Sequence, residues 1–351
     1  MRMHKIHWYL GIAGVFLLVA VMRPLPAHAE GISLTTSPVV LNLALQPGTT
    51  ETRTLQLMNN GSRPLKINMS LNVFSAKGQN GDAVITEPSP EDPSIKWVSF
   101  SPNTFIAKPG VWSPVKMTLS LPQDAKLGYY YAVLFKPDIA DQSAANTTVI
   151  RGTNAVLVLV DTHSANEQRT LDIQDFSVSQ GLYEYLPATF KVTIHNRGNI
   201  YTAPAGNVYI SQNSDMSNSI AALDINPGEG NVLPQSSRTF TVDWADGFPM
   251  FEDKKVNGQV VQDANGNPVK QLSWSFAKFS KFRFGEYYAK ITVVYNDGKR
   301  VVPLTRVVSF WVIPWKFMLV TGILLIVLVV GLISIGRFAI RLPRRSRLYR
   351  R

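Results

Sequence analysis

Residues 128–132 read Gly128-Tyr129-Tyr130-Tyr131-Ala132, and residues 285–289 read Gly285-Glu286-Tyr287-Tyr288-Ala289. Each run opens a late strand, Val133-Leu134-Phe135 in the first case and Lys290-Ile291-Thr292 in the second. Earlier in each half a strand-like segment closes on Asn-x-Gly, at Asn59-Asn60-Gly61 and at Asn196-Arg197-Gly198. The same signals recur in the same order, so the chain reads as two copies of one β unit. The second copy is the longer, and Phe248 to Lys270 is the expected insertion. A glycine ahead of tyrosines suits the corner where a late strand crosses between packed sheets, the ring entering the core while the hydroxyl bonds nearby backbone. Gly128, Tyr130, Gly285 and Tyr287 are therefore expected to define the fold.

Outward from these runs, β signals fill Gly31 to Val312. Thr52 to Met58 and Leu65 to Val73 alternate in polarity, with the turn residues Asn59 to Pro64 between them. Phe190 to Ile194 alternates likewise, and Asn296-Asp297-Gly298 between Ile291–Tyr295 and Arg300–Leu304 marks a hairpin. No long amphipathic helix interrupts the series, the pattern of an all-β sandwich rather than of βαβ units. The expected organisation is two tandem immunoglobulin-like β-sandwiches, residues 30–163 and 170–315, joined by a polar linker at 164–169.

The ends of the chain are different in kind. Residues 1–29 carry Arg2 and Lys5, an apolar run from Tyr9 to Val21, and alanines at 27 and 29, the layout of a cleaved secretory signal. Phe317 to Ile335 contains no charge, and about 20 residues at ~1.5 Å each match a ~30 Å hydrocarbon core. A transmembrane helix is expected over 316–337, with Trp311, Trp315 and Lys316 in the interfacial belt. The tail, 338–351, is rich in arginine and free of acids, which predicts a cytoplasmic C-terminus and a single-pass type I topology.

Charge location removes a nucleic-acid reading. The formal charge is +11, but three cations lie in the leading segment and eight from Lys316 onward, while the remainder equal the 24 acids in number. A neutral ectodomain offers no general field for a polyanion, so no nucleic-acid partner is expected, and the tail arginines suit anionic lipid. The chain has no cysteine, so an exported protein of this kind must rely on hydrophobic cores rather than disulfides, as bacterial surface domains do.

No catalytic motif appears. Beyond the leading segment only His163 and His195 remain, no Gly-x-Ser-x-Gly, His-Glu-x-x-His or phosphate loop occurs, and thiol nucleophiles are absent. Glu91-Asp92 and Glu252-Asp253 lie in loop-like stretches, where adjacency cannot set two carboxyls across a cleft. Asp263 to Asn267 has some features of a calcium loop but lacks its closing glutamate, and reads as a hairpin turn. The expectation is a non-enzyme with no cofactor and no metal. Trp274, Phe276, Lys278, Phe279, Lys281, Phe282, Arg283 and Phe284 form an aromatic and basic run with two readings: rings filling the second core, or an exposed patch for sugar, wall polymer or membrane. Trp97, Trp112 and Trp244 share that ambiguity, and Trp112, Trp274, Phe279 and Phe282 are the candidate ligand contacts.

Pro38-Val39-Val40, Gln46-Pro47-Gly48, Asn59-Asn60-Gly61, Lys108-Pro109-Gly110 and Leu121-Pro122 through Gly128-Tyr129-Tyr130 together resemble the peptidoglycan-binding domain of the WxL-interacting surface proteins of Gram-positive bacteria. The resemblance implies a membrane-anchored surface protein that binds cell-wall polymer or another surface protein. The same residues are more distantly similar to the N-terminal domain of pilus chaperones, which implies the alternative of a tethered assembly factor acting by β-strand addition. Membrane lipid is the further partner, through the C-terminal helix.

Overall fold

The computed structural model describes residues 32–125, 128–138, 153–163 and 167–341. The leading segment, the tail after Arg341 and residues 164–166 of the expected linker lie outside the described residues.

The first sandwich opens with a strand that divides its loyalties. Leu34–Ser37 pairs antiparallel with Thr50–Asn59 in one sheet, which continues through Trp112–Ser120 to Val98–Ser101. After Pro38 the chain crosses to the opposite sheet, where Val40–Leu45 runs parallel to Asn154–Thr162. That second sheet proceeds through Gly128–Pro137 to Leu65–Lys77, which carries Asp82–Thr86 and Thr104–Ala107 on its far side. Alternating residues from both sheets, among them Leu55, Leu57, Val115, Met117, Val133, Phe135, Val156 and Val158, interlock as the core.

The second sandwich repeats the plan. Leu171–Val178, Ala188–Asn196 and Ser237–Trp244 form one sheet, and Leu182–Tyr183, Val301–Val312, Gly285–Asn296, Ala205–Ser211 and Ser219–Asp224 form the other. Its core centres on Trp244, Tyr287, Phe190 and Phe310, all essentially inaccessible to water. Trp244 is thus a core residue; its indole lies edge-on to Tyr287 and Phe310, with the Arg283 guanidinium above it.

The internal repeat has a structural counterpart at Asn-x-Gly. Asn59 is fully buried; its amide donates to the carbonyls of Arg63 at 2.6 Å and Ala107 at 3.1 Å, and its Oδ1 accepts the Gly61 N–H at 2.9 Å. Asn196 repeats this, donating to Ile200 at 2.7 Å and Val232 at 2.9 Å and accepting from Gly198 at 2.8 Å. Each asparagine ties its own turn to a second, sequence-distant segment. A side chain at position 198 would meet the Gln168 carbonyl oxygen, which is why the third residue is glycine.

The extra length of the second copy is a small β annex. Met250–Asp253 pairs with Lys270–Ser273, a minor hairpin of Lys255–Val256 and Gln259–Val260 projects beyond, and a 3-10 segment, Phe276–Lys281, leads back to the Gly285 strand. The Asp263 stretch is a tight turn in which Oδ1 accepts the Asn265 and Asn267 N–H groups, both at 2.8 Å. From Val312 the chain passes almost directly into a helix, Trp315–Arg341, whose Trp315–Arg337 portion is long and apolar enough to cross a membrane and, past its first turn, stands exposed.

Candidate functional site

The strands Gly128–Pro137 and Asn154–Thr162 are nearly continuous in apolar residues, the signature of a sheet covered on both faces. Their inner side chains fill the first core. Their outer ones, Ala132, Leu134 and Leu159, join Phe74 in a second cluster completed by Tyr201 and Leu233 of the other sandwich. The outer face of this sheet is therefore the floor on which the second sandwich stands.

The three consecutive tyrosines are sorted by this arrangement. Tyr129 and Tyr131 stack at 6.3 Å on the inner side, and Tyr131 is the core ring, its hydroxyl donating to the Ser94 carbonyl at 3.3 Å. Tyr130, expected in the core, instead faces outward, edge-on to Phe74 at 6.0 Å and to Tyr201 at 6.4 Å. Its hydroxyl accepts the Tyr201 backbone N–H at 3.1 Å. Strand alternation allows only one side of the sheet to every second residue, so Tyr130 belongs to the seam between sandwiches. Burial raises its pKa, and burial likewise pushes Tyr201 up to about 12, so both phenols stay neutral. Gly128 is held clear by contact: a Cβ there would lie 2.5 Å from the Tyr130 hydroxyl. Gly285 is different, with φ of +111°, a backbone that glycine alone adopts freely. Tyr287, its neighbour, is a fully buried ring whose hydroxyl accepts from Gln212 Nε2 at 3.0 Å.

Beside the seam lies a cleft of about 420 Å³. Phe74, Ala76, Leu157 and Leu159 line its apolar side, Val40 and Asn42 its rim, and residues 228–233 with Arg238 its opposite wall. Asn231 Nδ2 donates to Asn42 Oδ1 at 3.0 Å across the two sandwiches. Arg238 sits between Gly81 and Gly230, where a Cβ would stand only 2.6 and 2.7 Å from the guanidinium group. It donates to the Asn231 carbonyl at 2.9 Å and lies over Phe240, with no carboxylate paired to it among the described residues.

The rim strand has an unused edge. Val39 and Leu45 direct their carbonyls at Leu157 and His163, so by the period of two the backbone groups of Val40, Asn42 and Ala44 point away from the sheet. No other strand pairs with that side among the described residues. In the second sandwich the corresponding edge, along Val301–Ser309, is interrupted. Trp311 N–H points outward to Gly181, so by the same period Pro303 faces outward too and presents no donor there.

Where the chain joins the sandwiches, Arg169 binds both Asp161 and Glu167. Asp161, His163 and Glu167 are close enough to gather a metal ion, a grouping that sequence spacing did not suggest. Arg169 already supplies the countercharge. Burial pushes the Asp161 carboxyl up, with the Arg169 charge opposing. Elsewhere His195 Nδ1 lies 3.0 Å from Ser237 Oγ, but that hydroxyl donates to Gln174 Oε1 at 2.8 Å, so the imidazole is the donor and does not activate it.

The four candidate contact aromatics are all exposed, but they are not one site. Trp112 stands on the first sandwich, and among the described residues no ring packs on it. Trp274, Phe279 and Phe282 lie in the annex. Trp274 and Phe279 surround Phe248 at 5.9 and 5.5 Å, and Trp274 and Phe282 reach Phe317 of the helix at 6.4 and 6.2 Å. The reading of this run as core fails because the annex adds a layer outside the second sandwich, whose interior Trp244 and Phe310 already fill.

No protein-family model and no curated protein matches the chain. Among solved structures it is similar to the class 5 fimbriae chaperone CfaA, at 12% identity over 78% of this chain and 99% of that one, TM-score 0.36. It is similar also to the E. coli chaperone DraB, at 10% identity over 81% and 98%, TM-score 0.33. The CsuC–CsuE chaperone–tip adhesion subunit complex of Acinetobacter baumannii matches at 13% over 59% and 89%, TM-score 0.31. These are likenesses of fold at low identity and carry no activity across to this chain.

Proposed function

We propose that the chain is a membrane-tethered, non-enzymatic protein that captures an extended segment of a protein partner by adding it as a strand along Val40–Leu45. The observation that carries this reading is the free edge at Val40, Asn42 and Ala44 beside the inter-sandwich cleft. Backbone pairing at an edge gives affinity without sequence demand, and a pocket for alternate side chains gives choice. Phe74, Leu157 and Leu159 suit apolar side chains of the captured strand, and Arg238 suits a carboxylate. The sandwiches lie on the N-terminal side of the helix, so a partner on the outer surface of the cell would meet them in the type I orientation.

The test uses the full chain in lipid nanodiscs with unfolded exported proteins as clients. Aggregation should be suppressed at near-equal stoichiometry. Ala44→Pro removes an outward N–H and no bond to Asn154–Thr162, so it should abolish suppression with an unchanged melting curve. Suppression that survives Ala44→Pro, or none in the unaltered chain, overturns the reading. The wall-polymer alternative is supported only by the exposure of Trp112. Retention on purified wall fragments that is lost in Trp112→Ala would move the function there.

A further inference from the structure

The annex carries its most exposed rings on a segment whose two ends meet the start of the helix. Phe276 and Phe279 are 73% and 64% exposed, far beyond what a 3-10 segment in water needs, and both pack on Phe248 at 5.5 Å. Trp274 and Phe282, from either end of the same segment, contact Phe317. Phe317 is the first residue of the uncharged stretch, and that stretch is only as long as a hydrocarbon core is thick. The boundary between headgroups and acyl chains therefore falls at Phe317, and rings in contact with it lie at that level.

We infer that the Trp274–Phe284 segment is a membrane foot: it inserts Phe276 and Phe279 into the interfacial layer of the bilayer leaflet on the sandwich side. Its composition is that of an interfacial belt, aromatic rings with lysines whose stems can reach the headgroups. Its cations are largely matched: Lys278 pairs with Glu252 at 3.5 Å, while Lys281 and Arg283 share the one carboxylate of Asp246 at 3.0 and 2.8 Å, which leaves a single positive charge over. Insertion is thus driven by apolar surface and does not depend on anionic lipid. A second anchor beside the helix fixes the tilt of the second sandwich, since a single helix alone leaves rotation about its axis free.

Because the chain has no cysteine, one introduced thiol is a unique label. The experiment reconstitutes full-length Phe276→Cys, Phe279→Cys and, as a water reference, Trp112→Cys, each spin-labelled, in phosphatidylcholine nanodiscs with and without phosphatidylglycerol. Labels at 276 and 279 should show high access to oxygen and several-fold lower access to a water-soluble nickel chelate than the label at 112, in both lipids, with melting unchanged. Nickel access equal to that at 112 overturns the inference. Strong immobilisation with dipolar coupling between copies also overturns it, by assigning the rings to a second chain, and dependence on phosphatidylglycerol overturns the apolar mechanism.

Discussion

The Tyr130 hydroxyl accepts the Tyr201 backbone N–H at 3.1 Å, a hydrogen bond that joins the last-but-one strand of one sandwich to the early turn of the other. With Phe74, Leu134 and Leu233 around it, this bond lies within an apolar seam. The two sandwiches therefore share a floor that positions the cleft.

Tyr130→Phe keeps the ring and removes the acceptor, leaving the Tyr201 N–H without its partner. The expected loss is about 1–2 kcal/mol, the cost of one unsatisfied, partly buried donor. Hydrogen exchange at the Tyr201 amide should accelerate, while exchange within the Trp244 core stays slow.

Asn59 and Asn196 each bind two carbonyls and one N–H in full burial. Alanine at either position should lower stability by about 2–4 kcal/mol, since several buried groups lose partners at once. Aspartate should be no better than alanine, because it faces two carbonyls with no donor. Thermal melts of the four single variants test this, and a near-neutral Asn196→Ala would contradict it.

Arg169→Ala strands Asp161, which is buried and already raised in pKa by that burial. An uncompensated buried carboxylate typically costs ~3–5 kcal/mol. An acid with a raised folded pKa is destabilising above that pKa and is relieved as pH falls through it. The Arg169→Ala defect should therefore shrink on acidification, and Asp161→Asn in the same chain should recover most of it at neutral pH.

Asp246 anchors the foot through Lys281 and Arg283. Partial burial by itself raises its pKa, but the hydrogen bonds and charges of these two cations prevail and hold it below the ordinary 3.8. A depressed folded pKa gives stability that is fully present above the unfolded value and lost as pH falls through the folded one. Asp246→Asn should thus flatten the acid limb of the stability profile below about pH 4. Because the side chain is 39% exposed, the effect at neutral pH should be within ~1 kcal/mol. Limited proteolysis at residues 276–284 should rise in the variant.

Much of the architecture was legible because it is written in local signals. The period-two strands, the Asn-x-Gly turns and the uncharged helix need no knowledge of distant residues. The rest was hidden for specific reasons. Three tyrosines in a row have no phase, so the expectation of Tyr130 in the core chose the wrong ring, and the pairing of Gly128–Pro137 with Asn154–Thr162 assigns that place to Tyr131. Aromatics alternating ahead of Gly285 look like core by any local criterion, and only their exposure in the folded chain and their contact with Phe317, more than thirty positions later, show otherwise.

Composition and periodicity alone dictated a two-sandwich β chain, a span-length helix and the absence of disulfides, since each follows from near-neighbour sterics or from apolar length. Which sheet face carries the second sandwich, which edge stays free and where the annex rings lie were settled by packing. Those properties depend on contacts between residues far apart in the chain, and a linear pattern holds no information about which distant surface will cover it.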